Sequence, residues 1–141
     1  MKYLIFLAFF APSIISAENK ATEISVTQLD KNRKGKLRFM VFREGKEFPR
    51  EHDAAILTKI VDTNGQETVR FTVNLPQGTY ALKVLHDENE NGKVDKKMIF
   101  IPSEGIGFSK DIKMTYRPPY FREAKINTTN IKSVEIKMYY Y

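Results

Sequence analysis

The sequence predicts an all-β fold, a seven- or eight-stranded antiparallel β-sandwich. Three observations predict it: apolar residues recur with period two, helical periodicity is nearly absent, and turn residues break the pattern at short intervals. The 141 residues suffice for one hydrophobic core and hardly more. With 42% hydrophobic and 28% charged residues, the chain is too apolar for disorder and too charged for a polytopic membrane protein.

Residues 1–17 stand apart from the fold. Lys2 precedes an uncharged run of 15 residues, Tyr3 to Ala17, which ends in Ile15-Ser16-Ala17 before charge resumes at Glu18. That is the pattern of a cleaved signal peptide. The run is also shorter than the roughly 20 apolar residues of a membrane-spanning helix. The expected mature chain, residues 18–141, is a single β-sandwich domain, periplasmic or secreted, with no transmembrane segment after cleavage.

Within the mature chain, residues 23–29 and 36–43 read as strands around a turn at residues 31–35, the second carrying Leu37, Phe39 and Val41 on one face. Residues 44–55 leave room for a single helical turn. Residues 56–61 form a further strand, closed by the turn Asp62-Thr63-Asn64-Gly65. The clearest strand follows, where Val69, Phe71, Val73 and Leu75 alternate with Thr68, Arg70, Thr72 and Asn74. After Leu75-Pro76-Gln77-Gly78, Tyr80, Leu82 and Val84 alternate with Thr79, Ala81 and Lys83. The second strand is expected to pair back on the first, with Phe71, Val73, Tyr80, Leu82 and Val84 facing inward together. Downstream, residues 98–101 are a short apolar run stopped by Pro102, and Gly105-Ile106-Gly107 reads as a tight turn that lets Phe108 reach the core. Residues 123–127 and 132–140 alternate again, the latter through Val134, Ile136, Met138 and Tyr140.

An exported β-rich chain could also be an outer-membrane barrel. Arg38, Lys59, Arg70 and Lys83 fall on the faces that would meet lipid. Charge there costs about 2 to 4 kcal/mol per residue at the bilayer midplane, which favours the sandwich.

The chain has no cysteine, which removes disulfides, thiolate metal sites and a thiol nucleophile, and its two histidines, His52 and His86, cannot build a His-rich metal centre. The net charge is +6, but the lysines are scattered, so no nucleic-acid partner is expected. The densest cluster, Lys31, Arg33, Lys34 and Lys36 around Gly35, reads as a solvated turn.

Chemistry concentrates in His86-Asp87-Glu88-Asn89-Glu90-Asn91-Gly92-Lys93-Val94-Asp95. The spacing parallels the first nine positions of a calcium-binding loop. Asp87, Asn89 and Asn91 would offer side-chain oxygens, Gly92 the sharp turn, Lys93 its carbonyl, and Asp95 a direct or water-mediated ligand. Oxygen ligands of this kind suit a hard cation, so that Ca2+ is the cofactor this loop would take if it holds one. Met98 stands where the bidentate Glu belongs, so affinity is low unless Glu88, Glu90 or Glu104 completes the shell. The same residues also suit a plain hairpin loop in which Asn and Asp cap their own backbone.

Three blocks in order carry a resemblance: Leu75-Pro76-Gln77-Gly78-Thr79-Tyr80-Ala81-Leu82-Lys83-Val84, the His86 to Asp95 run, and Ile101-Pro102-Ser103-Glu104-Gly105-Ile106-Gly107-Phe108-Ser109. With Pro119, Phe121 and Ala124, the chain resembles the uncharacterised bacterial family called domain of unknown function 2141. The resemblance implies a small exported protein with a prealbumin-like or carboxypeptidase-regulatory-like β-sandwich and no established activity. Phe100 departs from it, standing where such proteins often carry Gly before the Ile-Pro pair.

No catalytic constellation emerges, and an enzyme is not expected. His86 is in phase with Tyr80, Leu82 and Val84 and reads as a strand-end histidine beside the core. His52, between Glu51 and Asp53, reads as a solvated loop residue. Ser103 and Ser109 lack a nucleophile elbow. The expected function is a non-catalytic exported sandwich that binds an envelope protein or glycan. Its recognition edge would combine the acidic loop with Gly105-Ile106-Gly107-Phe108, and Tyr116, Tyr120, Phe121, Tyr139, Tyr140 and Tyr141 would add aromatic surface. The alternative is a metal-dependent periplasmic enzyme using the Asp87 to Asp95 loop and His86, which requires a cleft joining His86, Asp87 and Glu104.

Overall fold

Two sheets face each other in the computed structural model, which describes residues 20–45, 47–99 and 101–141. The expected signal peptide and Phe100 lie outside the described residues. In the smaller sheet, β1 (Lys20–Thr27) is central, antiparallel to β4 (Val69–Leu75) on one side and parallel to β8 (Ser133–Lys137) on the other. The larger sheet runs β3 (Leu57–Asp62), β2 (Lys36–Phe42), β5 (Thr79–Asp87), β6 (Gly105–Phe108), and β7 (Ile126–Asn127) also pairs with β5. Among the described residues the sandwich has eight strands, as expected, and there the β1–β8 pair is the exception to its antiparallel order. Among the described residues no helix is long and apolar enough to cross a membrane.

The inner core is built from one phase of each strand. Ile24 and Val26 on β1 and Val73 and Leu75 on β4 meet Leu37, Phe39 and Val41 on β2 and Leu82 and Val84 on β5. Val73, Leu82 and Val84 share this core as their alternation predicts, while Phe71 and Tyr80 pack at its rim, partly buried.

Pairing differs from the expectation, because β4 and β5 do not form a hairpin. β4 pairs with β1 in one sheet and β5 with β2 in the other, so Leu75-Pro76-Gln77-Gly78 arches across the sandwich. Coincident phases fit both arrangements. Two strands side by side in one sheet and two strands facing each other across a core both point their apolar residues at the same interior.

One more reading is corrected. Gly105–Phe108 is a strand, not a turn, and it is buried throughout. Its glycines are demanded by close approach: a Cβ on Gly107 would lie 2.6 Å from the Lys137 carbonyl oxygen, and one on Gly105 2.4 Å from the Tyr140 ring. In the apolar run before Pro102, Met98 and Ile99 are exposed, and a Lys96–Pro102 bridge flanks it. Residues Phe121–Ala124 form one turn of helix, α1, capped where the Glu123 carboxylate accepts from the Tyr120 N–H at 2.7 Å. The helical turn foreseen within residues 44–55 is present as a 3-10 turn, His52–Ala54.

A second core lies on the outer face of the larger sheet. Met40 and Phe42 from β2, Ala81 and Leu85 from β5, and Ile106 and Phe108 from β6 are covered by Phe48 and by Phe121 and Ala124 of α1. Phe48 binds this layer through edge-on contacts with Phe42, Phe108 and Phe121. The covering segments leave one region of this face open, and the functional geometry lies there.

Candidate functional site

The acidic loop begins where β5 ends. Asp87 is buried, and its carboxylate accepts from the Asn91 N–H at 3.1 Å and the Gly92 N–H at 2.7 Å. Asn89 Oδ1 accepts from the Asn91 N–H, and Asn91 Oδ1 from the Lys93 N–H. Both side-chain amides turn their NH2 groups to Asp95, Asn89 at 2.6 Å and Asn91 at 3.1 Å. The structure thus brings Asp87, Asn89, Asn91 and Asp95 together in one loop with Lys93, their oxygens committed to N–H donors of the loop itself. Gly92 permits the turn with a φ of 74°.

The acids that could complete a calcium shell are engaged elsewhere. Glu88 pairs with Arg33 at 2.6 Å and Glu90 with Lys36 at 3.3 Å. Glu104, buried, accepts from the Glu88 N–H at 3.0 Å and the Asp95 N–H at 3.1 Å, and burial raises its pKa. Among the described residues, no group of three or more His, Cys, Asp or Glu side chains is placed to hold a metal.

His86 is fully buried, as its phase predicts. Its Nδ1 is hydrogen-bonded at 2.8 Å to the Tyr140 hydroxyl, which also accepts from the Asp30 N–H. Burial lowers the His86 pKa. The large cleft of the molecule is not lined by His86, Asp87 or Glu104. The terminal tyrosines are likewise used internally: Tyr140 holds His86, the Tyr139 hydroxyl bonds Asp111, and Tyr141 Oη accepts from the Met114 N–H. Phe121 is core, and Tyr116 and Tyr120 are exposed beside Arg117.

That cleft, about 1120 Å³, opens on the outer face of the larger sheet. Its floor is Arg38, Thr58, Lys83, Ile106 and Phe108; residues 49–53 and Ala55 form one wall, and residues 91–94 with Lys96 another. Lys83, read from sequence as an exposed strand residue, is 2% exposed. It shares its phase on β5 with Ala81 and Leu85 and so enters the second core. Its amine donates to the Pro49 carbonyl at 2.7 Å and to His52 Nε2 at 2.7 Å. His52 is not a solvated loop residue either. Its Nδ1 lies 2.8 Å from the Gly92 carbonyl oxygen, which can only accept, so Nδ1 carries the proton and Nε2 is left as an acceptor.

The electrostatics of the floor are unbalanced. Burial brings the Lys83 pKa down to about 7, and among the described residues no carboxylate pairs with it to hold the charge. Burial, and then the charge of Lys83, lowers the His52 pKa. Arg38 keeps a buried Nε with no hydrogen-bond partner among the described residues, its nearest carboxylate oxygen being Asp87 Oδ2 at 3.9 Å. Arg50, Lys93 and Lys96 add positive charge to the walls, and Glu51 and Asp53 oppose it.

Sequence reasoning missed Lys83 and His52 because alternation assigned one face of β5 to solvent. A signal was present. Phe39-Met40-Val41-Phe42 and Ala81-Leu82-Lys83-Val84-Leu85 are apolar on both phases, the mark of strands covered on both faces.

A family model described as "Uncharacterized protein conserved in bacteria (DUF2141)" matches residues 24–137. No curated protein and no solved structure matches the chain.

Proposed function

We propose, for a chain that by this match belongs to an uncharacterised bacterial family, the role of a non-catalytic, exported binding module of the cell envelope, with the cleft over Lys83 as its recognition surface. The carrying observation is the cleft itself: a concavity of about 1120 Å³ whose floor sets the apolar Ile106 and Phe108 beside a few converging polar groups. Its concave form favours a glycan chain over a protein face. The pattern of residues 1–17 supports export. The recognition edge proposed from sequence becomes a cleft, with Ile106 and Phe108 of the paired strand on its floor and Asn91, Gly92, Lys93 and Val94 on its wall.

Calcium has a supporting part in this reading. The loop of Asp87, Asn89, Asn91, Lys93 and Asp95 would take the ion weakly, once the Asn89 and Asn91 amides turn from donor to acceptor toward it. A loop so held would stiffen the wall that His52 grips through the Gly92 carbonyl.

Titration of the mature protein with soluble envelope glycan fragments, followed by backbone amide shifts, tests the role. Shifts gathered on Arg38, His52, Thr58, Lys83 and Gly92 are expected. Shifts confined to the Tyr116–Tyr120 surface would place recognition there instead.

A further inference from the structure

Resting on the reading of the cleft as a ligand site, we infer that its floor receives an oxyanion, a carboxylate or phosphate group of the ligand, bound between Lys83 and Arg38 with His52 positioning the Lys83 amine. On the paired strands, Met40 lies opposite Lys83 and Arg38 opposite Leu85, so Arg38 and Lys83 are diagonal neighbours on one face of the sheet. Both are cationic, and both open to the cleft.

The hydrogen bonds leave one place for an anion. An ammonium has three protons, and here two are taken by neutral acceptors, the Pro49 carbonyl and His52 Nε2. The third is available to a ligand. Arg38 Nε is likewise buried without a partner, and the one nearby carboxylate, Asp87, already accepts from the Asn91 and Gly92 N–H groups. The buried Lys83 ammonium has no carboxylate against it among the described residues, which is costly, and an oxyanion between it and Arg38 supplies that charge with charge-assisted hydrogen bonds. Ile106 and Phe108 set apolar surface beside the two cations, which strengthens the attraction.

Binding should then be coupled to protonation. Lys83 is half charged near pH 7 when the site is empty, and fully charged around a bound anion. The other charged groups lining the cleft are Arg38, Arg50, His52, Lys93 and Lys96, with Glu51 and Asp53 on the wall. Of these, burial brings Lys83 to about 7, and burial with the charge of Lys83 holds His52 below its ordinary value.

The test is calorimetric titration of the full mature protein with D-galacturonate, glycerol 1-phosphate and neutral methyl galactoside, at pH 7 in two buffers of different ionisation enthalpy and again at pH 8 and 9. Binding of galacturonate or glycerol phosphate but not of the galactoside is expected, and the tighter of the two identifies a carboxylate or a phosphate source. Proton uptake should accompany it, and affinity should fall about tenfold per pH unit above pH 7. Lys83→Met should lose at least tenfold in affinity together with the proton uptake, and Arg38→Gln should lose affinity while keeping the uptake. Equal binding of the neutral galactoside would overturn the oxyanion and leave the cleft as a glycan site. Absence of binding by all three, or anion affinity unchanged in folded Lys83→Met, would overturn the inference outright.

Discussion

The Lys83 amine donates to His52 Nε2 across 2.7 Å, and the Nδ1 of the same ring holds the Gly92 carbonyl at 2.8 Å. One imidazole therefore ties the central strand of the larger sheet to both walls of the cleft. The cost of this arrangement is a buried amine with no anionic partner, and it is measurable.

Stability should rise with pH in a window set by Lys83. Its pKa is about 7 in the fold against 10.5 in the unfolded chain, so between these values the unfolded chain binds more protons and stability increases with pH. Below the window the cost of burying the charge is complete, on the order of 5 kcal/mol. Urea unfolding at pH 6.5, 8 and 9.5 should show the rise in the parent and a flatter, higher profile in Lys83→Met. Parallel profiles would mean that Lys83 is solvated or paired.

The two phenylalanines of the inner core should respond unequally. Phe39 is fully buried and meets the half-buried Phe71 edge-on, with centroids 5.4 Å apart. Phe39→Ala should cost about 3 to 5 kcal/mol and Phe71→Ala roughly half of that, since less of its ring leaves water on folding. Denaturant midpoints compare them, and equal losses would contradict the rim position of Phe71.

Gly107→Ala should destabilise by about 2 kcal/mol or more, because its Cβ would meet the Lys137 carbonyl oxygen at 2.6 Å and Ile106 could no longer bridge to Tyr139. A thermal melt reads the loss. An unchanged melting temperature would show that β6 does not press against the end of β8.

For the loop, calcium at about 10 mM should raise stability by about 1.4 to 2.7 kcal/mol, as mass action gives for dissociation constants of about 10⁻⁴ to 10⁻³ M. Magnesium should do less, because it demands a tighter octahedron. Asp95→Asn should remove the response while leaving the caps on Asn91 and Gly92, which belong to Asp87, in place. A melting temperature indifferent to calcium in the parent would leave the loop as the self-capped turn its hydrogen bonds describe.

Much of the inner core was legible because period two reports which residues share an interior, as with Val73, Leu82 and Val84. Period two does not report which strand is the neighbour, so the arch at Leu75-Pro76-Gln77-Gly78 read as a hairpin. The strand at Gly105–Phe108 was hidden because glycine is poor in strands by propensity and is required here by the closeness of Tyr140 and Lys137. The loop residues Asp87 to Asp95 announced themselves through local turn chemistry. Lys83 and His52 did not, because their contact spans 31 positions and depends on a covering segment whose place over the sheet is a long-range property.

The most direct test of the cleft is the titration of the Lys83 side chain itself, followed by the 13Cε resonance in protein labelled at lysine. One lysine resonance, absent from the spectrum of Lys83→Met, is expected to show a midpoint at about 7 that moves upward when galacturonate or glycerol 1-phosphate fills the site. A Lys83 midpoint near the ordinary lysine value, about 10.4, unmoved by either anion, would contradict it.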